Sequence, residues 1–155
     1  MVVGGTPRVH VERKGFSIVE LLLVVALLGI IAGMVAPKIG SMVQHQRVNK
    51  AAAIVVADLQ NVFAMAGRQR APVRMTSNLS AKTYTFADRR TGTVFQTRNL
   101  GNTSEYRLGT LTFNPATVDM FPNGISSAAL IVTVGAGTYT RTITASTAGF
   151  VRLVQ

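Results

Sequence analysis

Phe16-Ser17-Ile18-Val19-Glu20-Leu21-Leu22-Leu23-Val24-Val25-Ala26-Leu27-Leu28-Gly29-Ile30-Ile31-Ala32-Gly33-Met34-Val35-Ala36 decides how the rest of this chain is read. Sixteen consecutive residues, 21–36, carry no polar side chain. Residues 16–19 lengthen the run to the roughly twenty that cross a bilayer as a helix. Glu20 interrupts it, and a charge at that depth costs roughly 2.5–3.5 kcal/mol on insertion scales. Either the glutamate lies close enough to the helix end to reach the interface, or it waits for an ionic partner inside the membrane.

Working outward, the residues before the run are basic. Arg8, Arg13 and Lys14 stand against Glu12, which leaves +2 there and +8 of the total +10 in the remainder. A basic segment ahead of an apolar run is held in the cytoplasm, so the body of the chain is expected to face outward. An ordinary secretory signal would be cut after its apolar core, and Ala32-Gly33-Met34-Val35-Ala36 offers small residues for that alternative.

Past the run, Val48, Ala52, Val55, Leu59, Val62 and Ala66 recur at spacings of three and four, with Phe63 beside them. Asn49, Lys50, Asp58, Gln60 and Asn61 fall largely elsewhere, so an amphipathic helix continues the apolar one. The helix is expected from Phe16 to about Arg70, roughly 80 Å long. Pro37 is expected to kink or loosen it. Gly29 and Gly33 form a G-x-x-x-G spacing, which marks close helix packing or simply tolerated glycine. Arg70-Ala71-Pro72 should end the helix.

The texture then changes to Thr, Val, Ile, Phe and Tyr. Strands are expected at 84–87, 93–97, 105–113, 129–134, 138–144 and 150–154, with loops at 99–104 and 114–127. Turns fall at 88–92 and 134–138. One helix followed by gathered strands predicts an α+β fold: a long N-terminal helix, membrane half and amphipathic half, packed on a C-terminal antiparallel sheet. Arg141 breaks the alternation Tyr139, Arg141, Ile143, so it either faces solvent or shifts the register by one.

Lys14-Gly15-Phe16 followed by Glu20 and the apolar run resembles the processing site of type IV prepilins and type II secretion pseudopilins. The resemblance implies cleavage after Gly15 by a prepilin peptidase, N-methylation of Phe16, and pairing of Glu20 with the terminal amine of a neighbouring subunit during assembly. It also implies that the helix loses regularity around Pro37 in a filament. On this reading 1–15 is a removed leader, 16–40 the transmembrane and assembly helix, 41–71 the amphipathic half, and 72–155 a β-rich periplasmic region. The implied setting is the bacterial inner membrane, single-pass, with assembly into a pseudopilus.

The C-terminal half is similar to GspH/FimT-type minor pseudopilins. The order Leu111-Thr112-Phe113-Asn114-Pro115, Phe121-Pro122-Asn123-Gly124, Leu130 to Val134, Arg141 to Thr144 and Gly149-Phe150-Val151-Arg152-Leu153 carries that likeness. FimT-like pilins of DNA uptake use basic residues after the final glycine to hold phosphates. Here Phe150 follows the glycine and Arg152 stands alone, so a nucleic acid partner would rest on Arg141 and Arg152, with Arg89, Arg90 and Arg107 in support.

No catalytic constellation assembles. His10 lies in the leader, His45 on the polar helix face, and Asp58, Asp88, Glu105 and Asp119 are dispersed, so no enzyme, cofactor or metal site is expected. Calcium binding as in major pseudopilins would fall chiefly to Asp119, with Asn114 and Asn123. The 155 residues include no cysteine, which excludes disulfides and thiolate metal sites. The sequence thus predicts a minor pseudopilin of a type II secretion filament. The alternatives are a FimT-like type IV minor pilin in pilus assembly or DNA uptake, and a membrane-anchored periplasmic domain that never polymerises.

Overall fold

The computed structural model describes residues 15–154. The leader through Lys14 therefore lies outside the described residues, and Gly15 and Phe16 are the first of them. Helix α1, Ile18–Gln69, begins behind Ser17, whose Oγ accepts the Val19 N–H at 3.3 Å and whose carbonyl accepts the Leu21 N–H at 3.1 Å. It runs as one α-helix through Pro37. Arg70 closes it in the left-handed region, φ 51°, two residues before Pro72.

The chain divides into two compact units, Met1–Ile39 and Gly40–Gln155. In the first, residues 18–34 of the helix are exposed. In the second, the expected apolar stripe is buried at each of its six positions, and Ala51 joins it. Asp58 departs from the expectation. It sits three residues after Val55 and four before Val62, on the buried face, and is itself buried.

Eight strands follow, and they form two antiparallel sheets rather than one. Strands β1 (Val73–Asn78), β2 (Thr83–Asp88), β3 (Val94–Asn99) and β5 (Thr117–Met120) make sheet A in the order β3-β2-β1-β5. Strands β4 (Thr110–Asn114), β6 (Leu130–Ala136), β7 (Tyr139–Ala145) and β8 (Val151–Val154) make sheet B in the order β4-β6-β7-β8. Two strands differ from expectation outright: β1 occupies residues where no strand is expected, and β5 lies inside the expected 114–127 loop. The strand expected from 105 begins only at Thr110, because 105–109 is irregular and Arg107 takes φ 46°.

One apolar cluster joins the helix stripe to both sheets, through Met75, Tyr84, Phe86, Val118 and Met120 on one side and Leu111, Phe113, Val132, Val134 and Ile143 on the other. Tyr84 and Phe113, ring centroids 5.4 Å apart, join the two sheets' contributions. The opposite face of sheet A is hydroxylic. Thr117, Thr76, Thr85 and Thr97 are register partners in turn and form one row across all four strands. Threonine suits that place because its branched Cβ fits a pleated surface while its hydroxyl stays hydrated.

Candidate assembly site

Glu20 stands three residues after the capping Ser17, in the first turn of α1. It is exposed, and its carboxylate makes no hydrogen bond or ion pair among the described residues. Its neighbours are apolar and equally uncovered, from Phe16 at 80 % exposure through Leu22 at 62 % to Met34 at 69 %. So much contiguous apolar surface calls for lipid or other apolar helices around it. The helix is long and apolar enough to cross a membrane. A Cβ added to Gly15 would meet nothing within 4 Å, so no packing demand explains a glycine at that position.

Three of the four described acids of the Gly40–Gln155 unit, Asp58, Asp88 and Asp119, are spent internally. Asp58 Oδ2 accepts the Tyr84 hydroxyl at 2.7 Å and Arg98 Nε at 2.9 Å, while Oδ1 accepts Gln96 Nε2 at 3.0 Å and Arg98 Nη2 at 2.9 Å. Burial alone would raise the Asp58 pKa, but the bonds from Arg98, Tyr84 and Gln96 outweigh it and hold the carboxyl below its ordinary range. The same contact, after burial, pushes the Tyr84 hydroxyl up. This latch ties helix to β2 and β3. Sequence reading missed it, and the one available signal was an acid inside the apolar spacing.

Asp119, the chief calcium candidate, is gripped by Arg74 (Nε to Oδ1, 2.7 Å) and Arg89 (Nε to Oδ2, 3.1 Å). The hydrogen bond from Arg74 pulls its pKa down. Asp88 is turned onto its own hairpin, accepting the N–H groups of Arg90 at 2.7 Å and Thr91 at 2.8 Å. Glu105 shares a groove with Arg47 and Lys50. Among the described residues no three His, Cys, Asp or Glu side chains converge.

The two arginines singled out for nucleic acid are not brought together. Arg141 shares the core-side parity of Ile143, settling its register: its Nε donates to Asn49 Oδ1 at 3.1 Å and its guanidinium lies 5.6 Å from the Tyr139 ring centroid. Tyr139 in turn stacks on His45 at 4.0 Å. Arg152 is the register partner of Thr144, on the other face of sheet B. Arg89 is engaged by Asp119 and lies over Phe121.

With this geometry in view, residues 12–36 match the family model described as the prokaryotic N-terminal methylation motif. The fold matches the type IV minor pilin FimU of Pseudomonas aeruginosa in two crystal forms. One has 17 % identity and TM-score 0.58, covering 74 % of this chain and 92 % of that one. The other has 18 % identity and TM-score 0.55, covering 69 % and 92 %. Identity at that level is a likeness of fold. No curated protein matches the chain in sequence.

Proposed function

We propose, from the premise that this is a type IV pilin-like protein carrying an N-terminal methylation motif, that it is a minor structural subunit of a filament built through its N-terminal helix. The observation that carries this reading is the exposed apolar surface around Glu20, beside a globular unit whose own carboxylates already have partners or cationic neighbours. Before assembly the helix anchors the chain in the inner membrane with Gly40–Gln155 on the periplasmic side. A prepilin peptidase cuts after Gly15, and the freed Phe16 amine is methylated. During assembly Glu20 pairs with the amine of an adjacent Phe16. Out of water an unpaired charge is costly, so that pair fixes the register between subunits. Apolar packing of residues 21–35 supplies the remaining cohesion.

Mass spectrometry of the mature N-terminus tests the premise of processing. The expected chain starts at an N-methylated Phe16, and any other start ends the reading.

The machine served is, on the sequence resemblance, a type II secretion pseudopilus, where the subunit would act as a piston or tip element. A second reading, a minor pilin of a type IV pilus, is favoured by the fold likeness to FimU, 92 % of which is covered. Deleting the gene separates them: loss of protein export with intact surface pili supports the first, loss of surface pili the second. DNA uptake by such a pilus would require retardation of DNA by the chain at low salt, weakening as salt rises.

A further inference from the structure

The four sheet edges are not equally protected. Strand β5 is covered by the segment after it, since Ser127 N–H donates to the Asp119 carbonyl at 2.8 Å and Met120 bridges to Ser126. Strand β3 follows a register shift at Phe86/Ala87, and its Gln96 and Arg98 turn inward to Asp58. An inward charge and a bulge are both devices that discourage strand addition. Strand β4 has its apolar Leu111 and Phe113 buried and presents Thr110, Thr112 and Asn114 to solvent.

Among the described residues strand β8 has no covering segment, no bulge and no inward charge, although it is short and carries Arg152. It pairs with β7 on one side only. Leu153, on the same parity as the buried Ile143, is nevertheless 48 % exposed, and Val154 on the other face is 44 % exposed. Ahead of the strand, Phe150 is 71 % exposed. An open groove of about 450 Å³ runs over Ile131, Thr144, Phe150, Arg152 and Val154.

The hydrogen-bond phase is fixed by Ser146, whose N–H donates to the Phe150 carbonyl at 2.9 Å. Every second pair in an antiparallel ladder exchanges hydrogen bonds, so Thr144 with Arg152 and Thr142 with Val154 are the bonded pairs. The N–H and C=O of Val151 and Leu153 therefore point away from β7. The Arg152 side chain has neither a hydrogen bond nor an ion pair among the described residues, and the four described side-chain carboxylates of its unit are engaged by, or lie beside, other groups. The Arg152 guanidinium is thus open to a carboxylate from another chain.

We propose that β8 is a docking edge for an extended strand of a second subunit, which joins sheet B as a fifth strand. The incoming strand takes up the outward backbone groups of Val151 and Leu153 and covers Leu153 with an apolar side chain on the core-side face. On the groove side it places an acidic residue beside Arg152 and an apolar one against Val154 and Phe150. Backbone bonds give the affinity, and the alternating side chains give the selectivity. That the partner is a filament subunit rests on the function proposed above, whereas addition of a strand does not.

Hydrogen exchange at the Val151 and Leu153 amides tests it, comparing full-length chain in membranes of cells that carry its neighbouring genes with the same chain isolated in detergent. Exchange should be at least about tenfold slower in the membranes, because both amides become bonded. Equal exchange overturns the proposal. Leu153→Pro deletes one outward donor without touching the β7 pairing and should abolish protection at Val151, while Leu153→Ala keeps the donor and retains most of it. Protection at Val151 that survives Leu153→Pro also overturns the proposal. Arg152→Glu should remove protection. If it instead releases bound nucleic acid while both amides exchange alike in the two preparations, the arginine holds a polyanion and the strand is wrong. Should Glu20→Ala leave filament incorporation unchanged, the filament reading falls, and exchange at β8 still decides the strand.

Discussion

The two halves of α1 treat an acid in opposite ways. Glu20, in the half before Gly40, stands among exposed leucines with no partner among the described residues. Asp58, in the half after it, is 3 % exposed and holds three side chains through four hydrogen bonds. Both carboxylates lie in apolar surroundings, where an unpaired charge is expensive. The difference is where the partner comes from. At Asp58 it is supplied by the chain's own sheet, so the surface there is complete. At Glu20 the described structure supplies none, and on the proposed reading the partner comes from another subunit.

The strongest way to break this contrast is Glu20→Ala. Incorporation into filaments, measured on sheared or affinity-isolated material, should fall by roughly 100-fold, the equivalent of ~2.5–3.5 kcal/mol. The Gly40–Gln155 unit should unfold as before. Unchanged incorporation would remove the intermolecular role.

Asp58→Ala should do the reverse, sparing membrane insertion while lowering the stability of the globular unit by about 3 kcal/mol, because Arg98 and the Tyr84 hydroxyl lose their acceptor. Denaturant titration of the full chain in detergent reads this, and a loss below ~1 kcal/mol would mean the latch is ornamental. The pH sign follows from the lowered folded pKa. The unfolded chain binds the proton more readily, so the contribution is complete above about pH 4 and is lost as pH falls through the folded value. Asp58→Asn should flatten that acid limb of the stability curve.

Gly149→Ala sharpens the comparison by perturbing the globular unit away from either acid. Gly149 takes φ 78°, and an added Cβ would lie 2.6 Å from the Gly124 carbonyl oxygen. A loss of about 2 kcal/mol is expected from left-handed strain and backbone displacement. A neutral result in the same titration would show the β7–β8 turn to be soft. Arg141→Ala should be the mildest, below about 1 kcal/mol, since Asn49 and Tyr139 at its contact remain reachable by water. A larger loss would show that Arg141 anchors the β6–β7 hairpin to the helix.

What could be read from sequence follows the same divide. The helix, its apolar stripe, its end near Arg70 and the methylation motif depend on residues a few positions apart, and local spacing exposes them. Strand β1 escaped because Val73-Arg74-Met75-Thr76-Ser77-Asn78 follows a proline and has few β-branched residues, although its alternate positions Val73 and Met75 are buried. Strand β5 escaped because only four residues lie between Pro115 and Pro122 in strand geometry. The split into two sheets and the partners of Asp58 rest on pairings tens of residues apart, such as Arg74 with Asp119 and Asp58 with Arg98. No local pattern carries those. At the candidate assembly site the residues were legible from the motif, whereas their lack of partners was visible only in coordinates.

The Asp58 latch has a mechanical consequence. On the proposed reading the chain is gripped by its helix in a filament, and tension along that helix drags the globular unit with it. Because one buried carboxylate is bonded to two neighbouring strands, the helix cannot slide past sheet A until all four bonds part together. Traction therefore passes from the helix into β2 and β3 through this carboxylate as well as through the apolar core around it. Pulling the chain from its helical end in a force spectrometer should show helix and sheet yielding in one event, and in separate events once Asp58 is replaced by alanine.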